Sequence, residues 1–394
     1  YNTGASYGES VNGAAIDSGV REVTESESIS AELRFTSTGD GPLQWITGLY
    51  YLDEEINGNF QFQPVWIGMG PAGAGPGDHF NINFIDRDLT IESQAIFGNL
   101  SYNMSDTVTF RVGLRYTDDE KDKGGIASDP SAGSYFRVWI TESGAILGPP
   151  FRAQVANPSW SETTYDVGLD FNVGDDGLFY VKYSTGYKAG GFNRGSAGPG
   201  SNPGAGVFML DIYDPETVNA MEAGYKGTFM NGRGRISIAG FLNKYDSKVE
   251  SVVRILNGVP TNTAVNATDV DIAGLEIEAS MLYGDRGGRV DFGIGLLDAT
   301  YGSFPNLPDP ILGGTNVLDV SGETVLNAPE RSINFSWVPV EWDLGGGTLS
   351  PRIQVAYKSD YKTRPHGLLV DQQDAYSRSN ISLLYESNSG GWFG

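Results

Sequence analysis

The sequence predicts an all-β fold, a transmembrane antiparallel β-barrel segment of about thirteen strands. Two observations predict it: tight and long connectors alternate along the chain, and the segments they join alternate polar with apolar residues. The tight connectors are TGDGP (38–42), MSD (104–106), GDDG (174–177), NGRGR (231–235), GDRGGR (284–289), DLGGG (343–347) and SNSGG (387–391). Longer excursions separate them, over 54–88, 121–160, 189–215, 252–264, 303–323 and 361–373. Outer-membrane barrels join period-two strands by short periplasmic turns and long extracellular loops, whereas a soluble sandwich has no reason to keep all its short turns at one end.

Each strand is justified by its own alternation. In 107–116, Val108, Phe110, Val112, Leu114 and Tyr116 share one face, and Thr107, Thr109, Arg111, Gly113 and Arg115 share the other. That two-residue repeat belongs to a pleated strand. An arginine against lipid costs roughly 2–4 kcal/mol at mid-depth, so the arginine face is assigned to the lumen. Segments 29–36 and 164–173 repeat the arrangement. Further strands are expected near 43–53, 90–104, 177–188, 216–230, 234–251, 269–283, 289–302, 326–341, 347–360 and 375–387. Tyr and Trp gather near strand ends, as an interfacial girdle requires. An odd strand count, a start at Tyr1 without a signal core and an end inside a new strand at GGWFG lead us to expect a piece of a longer barrel.

Composition narrows the function classes. Lys and Arg number 26 against 49 Asp and Glu, a net charge of −23, which argues against nucleic acid and its phosphates. The 20 Tyr, 19 Phe and 7 Trp argue for order rather than a solvated acidic chain. Without cysteine there is no disulfide, thiolate nucleophile or Cys-type zinc site, and no cofactor is expected. His79 and His366 are the only histidines and both fall in excursions, so no catalytic triad and no His-rich metal centre is expected. The carboxylate runs Asp53–Glu55 and Asp118–Glu120 read as solvated loop edges, with calcium the alternative.

The segments YVKYSTGYKAGGFNRG (180–195) and YDPETVNAMEAGYKGTF (213–229) resemble signatures of the TonB-dependent outer-membrane receptors. So do LQWITGLYYLDEE (43–55), VTFRVGLRYTDDEK (108–121), IAGLEIEA (272–279) and LNAPERSINFSW (326–337), which occur in the family's order across nearly the whole chain. The resemblance implies a 22-stranded barrel occluded by an N-terminal plug, of which residues 1–394 match barrel alone, without the plug or the last strands. It implies a monomer among outer-membrane lipids that captures a small metal chelate, a ferric siderophore above all, and imports it through the TonB energy-coupling complex. That complex would engage the missing N-terminal region. Cobamide, haem or oligosaccharide cargo, and a passive porin-like channel, are the alternatives; an enzyme or adhesin on the same scaffold is a third, with scarce His and no nucleophile context against the enzyme.

Local chemistry adds candidate ligand contacts. Gly190 and Gly191 are expected to break their strand where side chains would crowd the bend. Phe179, Val181, Tyr183, Thr185 and Tyr187 are assigned to lipid, and Tyr180, Lys182, Ser184, Gly186 and Lys188 to the lumen. Arg111, Arg115, Lys182, Lys188, Arg194 and Arg254 could form a cationic mouth for an anionic ligand, with Asn193 a neutral ligand contact, or each cation could pair with a lumen carboxylate such as Glu222, Glu276 or Glu278. Trp66 and the loop aromatics Phe60, Phe62, Phe80, Phe84 and Phe208 serve equally well as ligand contacts or as loop packing.

Overall fold

The computed structural model describes the backbone over 5–11, 14–67, 79–128, 137–140, 146–147, 151–197, 207–256, 259–267, 269–285, 287–309, 316–365, 371–388 and 392–393. Side chains are described over 24–57, 89–123, 156–193, 211–252, 263–267, 269–285, 287–307, 309, 316–365 and 371–388.

All thirteen expected strands are present as a meander in which each pairs with the next. They are β1 (Ala14–Thr36), β2 (Leu43–Ile67), β3 (His79–Asn103), β4 (Val108–Ser128), β5 (Ser159–Val173), β6 (Gly177–Lys188) and β7 (Glu216–Phe229). They continue as β8 (Gly234–Asp246), β9 (Val270–Tyr283), β10 (Gly288–Tyr301), β11 (Arg331–Val338), β12 (Gly347–Lys358) and β13 (Tyr376–Ser387). A fourteenth, β14 (Trp392–Phe393), begins against β13. Every ladder between successive wall strands is antiparallel.

Register confirms the two faces. The β4–β5 ladder sets Phe110 against Leu169, Val112 against Val167 and Leu114 against Tyr165, all on the outer face. The same row type continues through Met221–Leu242 and Ile277–Ile294 to Val355 beside Phe335. These apolar groups stay exposed in the chain, 58% for Leu114 and 57% for Leu242, as residues solvated by lipid tails must be. The lumen rows carry Arg111, Lys182, Glu222, Glu276, Arg378 and their polar neighbours instead.

Tight turns depend on left-handed backbone. Gly174, Gly232, Gly284 and Gly345 have φ of 63°, 79°, 64° and 77°, where an L side chain would be strained. Asn231 (φ 56°) takes the same conformation beside Gly232, and so does Met230 (φ 54°).

Four features depart from expectation. The excursion over 54–88 is largely strand: β2 and β3 each run 25 residues, far beyond the belt, and β4 runs 21. The expected strand 326–341 contracts to Arg331–Val338 because Pro329 and Pro339, which lack an amide hydrogen, bracket it. The expected strand 234–251 stops at Asp246, where Ser247 turns the chain with φ 55°. Tyr187 and Thr185 keep their places in the β6–β7 alternation, opposite Thr217 and Asn219, but their hydroxyls are engaged by the protein rather than free towards lipid. The β5–β6 ladder ends at Asp166–Ser184, and the Thr185 hydroxyl accepts from Tyr165 N at 2.9 Å. The Tyr187 hydroxyl is buried beside Asp119.

Above the belt the later excursions are folded hairpins. Val249–Leu256 pairs with Val259–Asn266, and Gly191–Ala197 with Val207–Tyr213. Val252 and Val265 of the first hairpin pack with Val270, Ala299, Tyr301, Phe304, Leu307 and Val320, forming a small apolar core beyond the end of the wall. It builds a shelf at the outer end of β8–β10.

Candidate functional site at the lumen wall and outer mouth

Both signature segments lie on neighbouring strands, and the ladder β6–β7 sets Tyr180 opposite Gly224 and Lys182 opposite Glu222. Glycine at 224 leaves room for the phenol: a Cβ there would sit 2.6 Å from its hydroxyl oxygen. The hydroxyl donates to Glu222 Oε1 at 2.5 Å, and the Lys226 ammonium lies 5.5 Å from the ring centroid. The signature thus reads as one interlocked lumen patch, in which an acid, a phenol and an ammonium satisfy one another.

Higher up, the wall bends into the mouth at Gly190–Gly191. A Cβ on Gly190 would meet Tyr213 O at 2.4 Å and the Trp160 indole at 2.6 Å, and one on Gly191 would meet the Tyr213 hydroxyl at 2.4 Å. The crowding expected from sequence is therefore present, between two named rings. Lys121 locks the bend: its ammonium donates to Gly190 O at 2.6 Å and stands 5.6 Å from the Trp160 ring centroid. Burial lowers the Lys121 pKa below the ordinary lysine value, Asp119 opposes that shift, and Lys188 adds to it. Lys123 is fully buried, 5.4 Å from the Phe192 ring centroid.

The candidate residues separate by what each one touches. Arg111 is neutralised by Asp170 at 2.6 Å. Lys188 stands 3.8 Å from Glu216. Asn193 holds the mouth together: its Nδ2 donates to Ala264 O and its Oδ1 accepts from Ala264 N, both at 2.8 Å, so its amide imitates a strand partner for the 259–266 segment. Asn266 does the same for Asp214, donating to its carbonyl at 2.9 Å and accepting from its amide at 2.8 Å. Lys182 faces the lumen opposite Glu222, whose Oε1 already accepts from Tyr180. Arg115 is framed by Tyr50 and Phe97, with centroids 5.3 and 5.8 Å from its guanidinium carbon. The side chains of Trp66, Arg194 and Arg254 lie outside the described residues, as do those of His79, His366 and the loop aromatics Phe60, Phe62, Phe80, Phe84 and Phe208.

Sequence reasoning passed over Lys121, Lys123 and Phe97, and it counted Tyr50 with the interfacial girdle whereas its ring lies in the lumen row under Arg115. The signal for the lysines is period: odd positions after Arg115 continue the lumen face, so Lys121 and Lys123 belonged to it. The carboxylate runs are split by the same period. Asp53, Glu92 and Glu120 fall in one outward cross-strand row, and no metal-holding group of three acids or histidines occurs among the described residues.

This geometry defines a membrane-spanning barrel wall with a polar, ion-paired lumen. The sequence profile of the TonB dependent receptor-like, beta-barrel family matches residues 1–392, and the chain belongs to that family, whose members are outer-membrane transporters rather than enzymes. Among solved structures it is similar to the ferric yersiniabactin uptake receptor FyuA from Yersinia pestis, with TM-score 0.65, 16% identity, and 98% of this chain and 50% of that one covered. It is also similar to the copper transporter OprC (TM-score 0.60, 13% identity, 94% and 50% covered). The siderophore receptor PiuA from Acinetobacter baumannii gives TM-score 0.57 at 14% identity, with 95% and 50% covered. The chain spans about half the length of these structures, and identities this low speak to the fold alone. No curated protein sequence matches the chain.

Proposed function

We propose that residues 1–394 form part of the barrel wall of an energy-coupled outer-membrane importer whose cargo is a ferric siderophore or a similar iron complex. The family match over 1–392 carries the reading, because it brings with it a cargo that binds at the outer mouth and a TonB complex that drives its passage. A lumen bearing both signs of charge and a mouth stiffened by Lys121, Asn193 and Asn266 support binding at the outer end. Arg115, Lys182 and Lys188, with Arg111, Asn193, Arg194, Arg254 and Trp66, are the proposed cargo-facing set. In the membrane the receptor works as a monomer among outer-membrane lipids, with the plug and the TonB contact supplied by the rest of the protein.

Uptake of radio-labelled iron chelates by cells carrying or lacking the full gene tests this. Energy-dependent uptake that vanishes with the gene is expected. Unchanged uptake of every iron complex sinks the iron assignment; because OprC is a copper transporter, gene-dependent copper uptake in the same cells would replace it. Uptake that persists when TonB is removed would favour a passive channel.

A further inference from the structure

The lumen cations are not equivalent, and their partners distinguish them. Arg111 is paired with Asp170, Lys188 stands near Glu216, and Lys121 is committed to the Gly190 carbonyl. Arg115 alone among these carries aromatic support in place of an acid or carbonyl. Its Nε donates to Thr117 Oγ1 at 3.0 Å, and among the described residues no carboxylate pairs with it. Asp166 and Glu162, the lumen acids of β5 on either side of its ladder partner Thr164, form no ion pair with it, and Glu162 Oε1 accepts from Thr163 N. In a chain of net charge −23 such a cation is conspicuous.

Its setting is built. Phe97 is wedged over Gly48, where a Cβ would come within 2.6 Å of the ring, so the ring has little freedom. Tyr50 comes from the adjacent strand β2, in a lumen row next to Phe97. Two rings hold a guanidinium and strip part of its water without cancelling its charge. Its unused Nη hydrogens form the planar fork that suits a carboxylate or a chelating phenolate pair. Arg115 also lies at the outer end of the lumen: on its strand the outward face changes from Tyr116 to the acidic Asp118, where the lipid belt ends.

We propose that Arg115, framed by Tyr50 and Phe97, is the residue that selects the cargo's charge, and that the cargo presents a flat anionic group there, a carboxylate or an aryl diolate. The inference rests on the import reading above and narrows its substrate class to anionic chelates.

The test uses the full-length receptor in cells, with Arg115→Gln, Arg115→Lys and Tyr50→Leu. The probes are radio-iron complexes of citrate, a tris-catecholate and a neutral tris-hydroxamate. Wild type is expected to import an anionic complex. Arg115→Gln should raise its KM roughly tenfold or more, the scale of one lost charge-assisted bond, and leave the maximal rate within about twofold. Arg115→Lys should recover little of the loss and Tyr50→Leu should fall between, because a point charge or a half-built frame lacks the fork geometry. An unchanged KM, a fall in maximal rate alone, full rescue by lysine, or import of the neutral complex only would overturn the inference while leaving iron import standing. If wild type imports none of the three, both readings fail together.

Discussion

A ring laid over a glycine of the neighbouring strand recurs along this wall, with Tyr180 on Gly224, Phe241 on Gly274 and Phe97 on Gly48. Each glycine supplies a flat stretch of backbone on which a large lumen-facing ring can lie, so scattered glycine in this chain is a packing element. At Gly224 the conflict involves ladder backbone as well as the ring. A Cβ there would press on the Tyr180 hydroxyl at 2.6 Å and on the Ile238 carbonyl at 2.7 Å, and the carbonyl is ladder backbone that cannot swing away. Gly224→Ala should therefore destabilise the barrel by about 1–3 kcal/mol, the range for overpacking. The check is a lower temperature for loss of the heat-resistant band of the full receptor on a gel. Tyr180→Phe keeps the ring and removes only the donor to Glu222, so it should cost about 1.5–3 kcal/mol at most, less if water replaces the hydroxyl.

At the scale of elements, the shelf formed by the 249–266 hairpin and the outer ends of β9 and β10 carries buried polar atoms within its apolar contact. Thr263 is 2% exposed and, among the described residues, its Oγ1 has no hydrogen-bond partner. Thr263→Val should be neutral or stabilising, by up to about 1–3 kcal/mol, because it removes an unsatisfied oxygen at nearly constant shape. Tyr301 sits beyond the lipid belt, and burial, with the Glu250 carboxylate beside it, raises its phenol above the ordinary value of 10.0. A raised folded pKa contributes stability that is fully present below pH 10.0 and is lost as pH rises through the folded value. Protease protection of the 249–325 region should accordingly decline above pH 10.0, and Tyr301→Phe should flatten that decline. Strands within the belt were legible because lipid on one side and water on the other impose a two-residue polarity period. Above the belt both faces meet water, the period fades, and β2 and β3 read as loops although their ladders continue. Partners in the site were less legible still, since Arg111 finds Asp170 across 59 residues of chain and Asn193 finds Ala264 across 71. The bend at Gly190–Gly191 was readable from its paired glycines alone, although the groups that crowd it, Tyr213 and Trp160, lie on other strands.

For the whole molecule, one environment rule accounts for wall, lumen and mouth: the outer rows are dissolved in hydrocarbon, the inner rows in water and protein. The rule predicts that one substitution has opposite consequences on the two faces of one sheet. Val112 lies in the outer row between Leu100 and Val167, so Val112→Arg places a charge against lipid and should cost roughly 2–4 kcal/mol if it lies near mid-depth. Ser237 lies in the lumen row between Lys226 and Glu278, so Ser237→Arg meets an ammonium on one side and a carboxylate on the other and should change stability by no more than about 1 kcal/mol. Folding of the full receptor into vesicles, followed by denaturant titration, reads both. Equal losses for the two variants would mean that the face assignment is wrong, and with it the lumen placement of Arg115; a loss confined to Val112→Arg ties the apolar rows to lipid and the charged rows to the lumen.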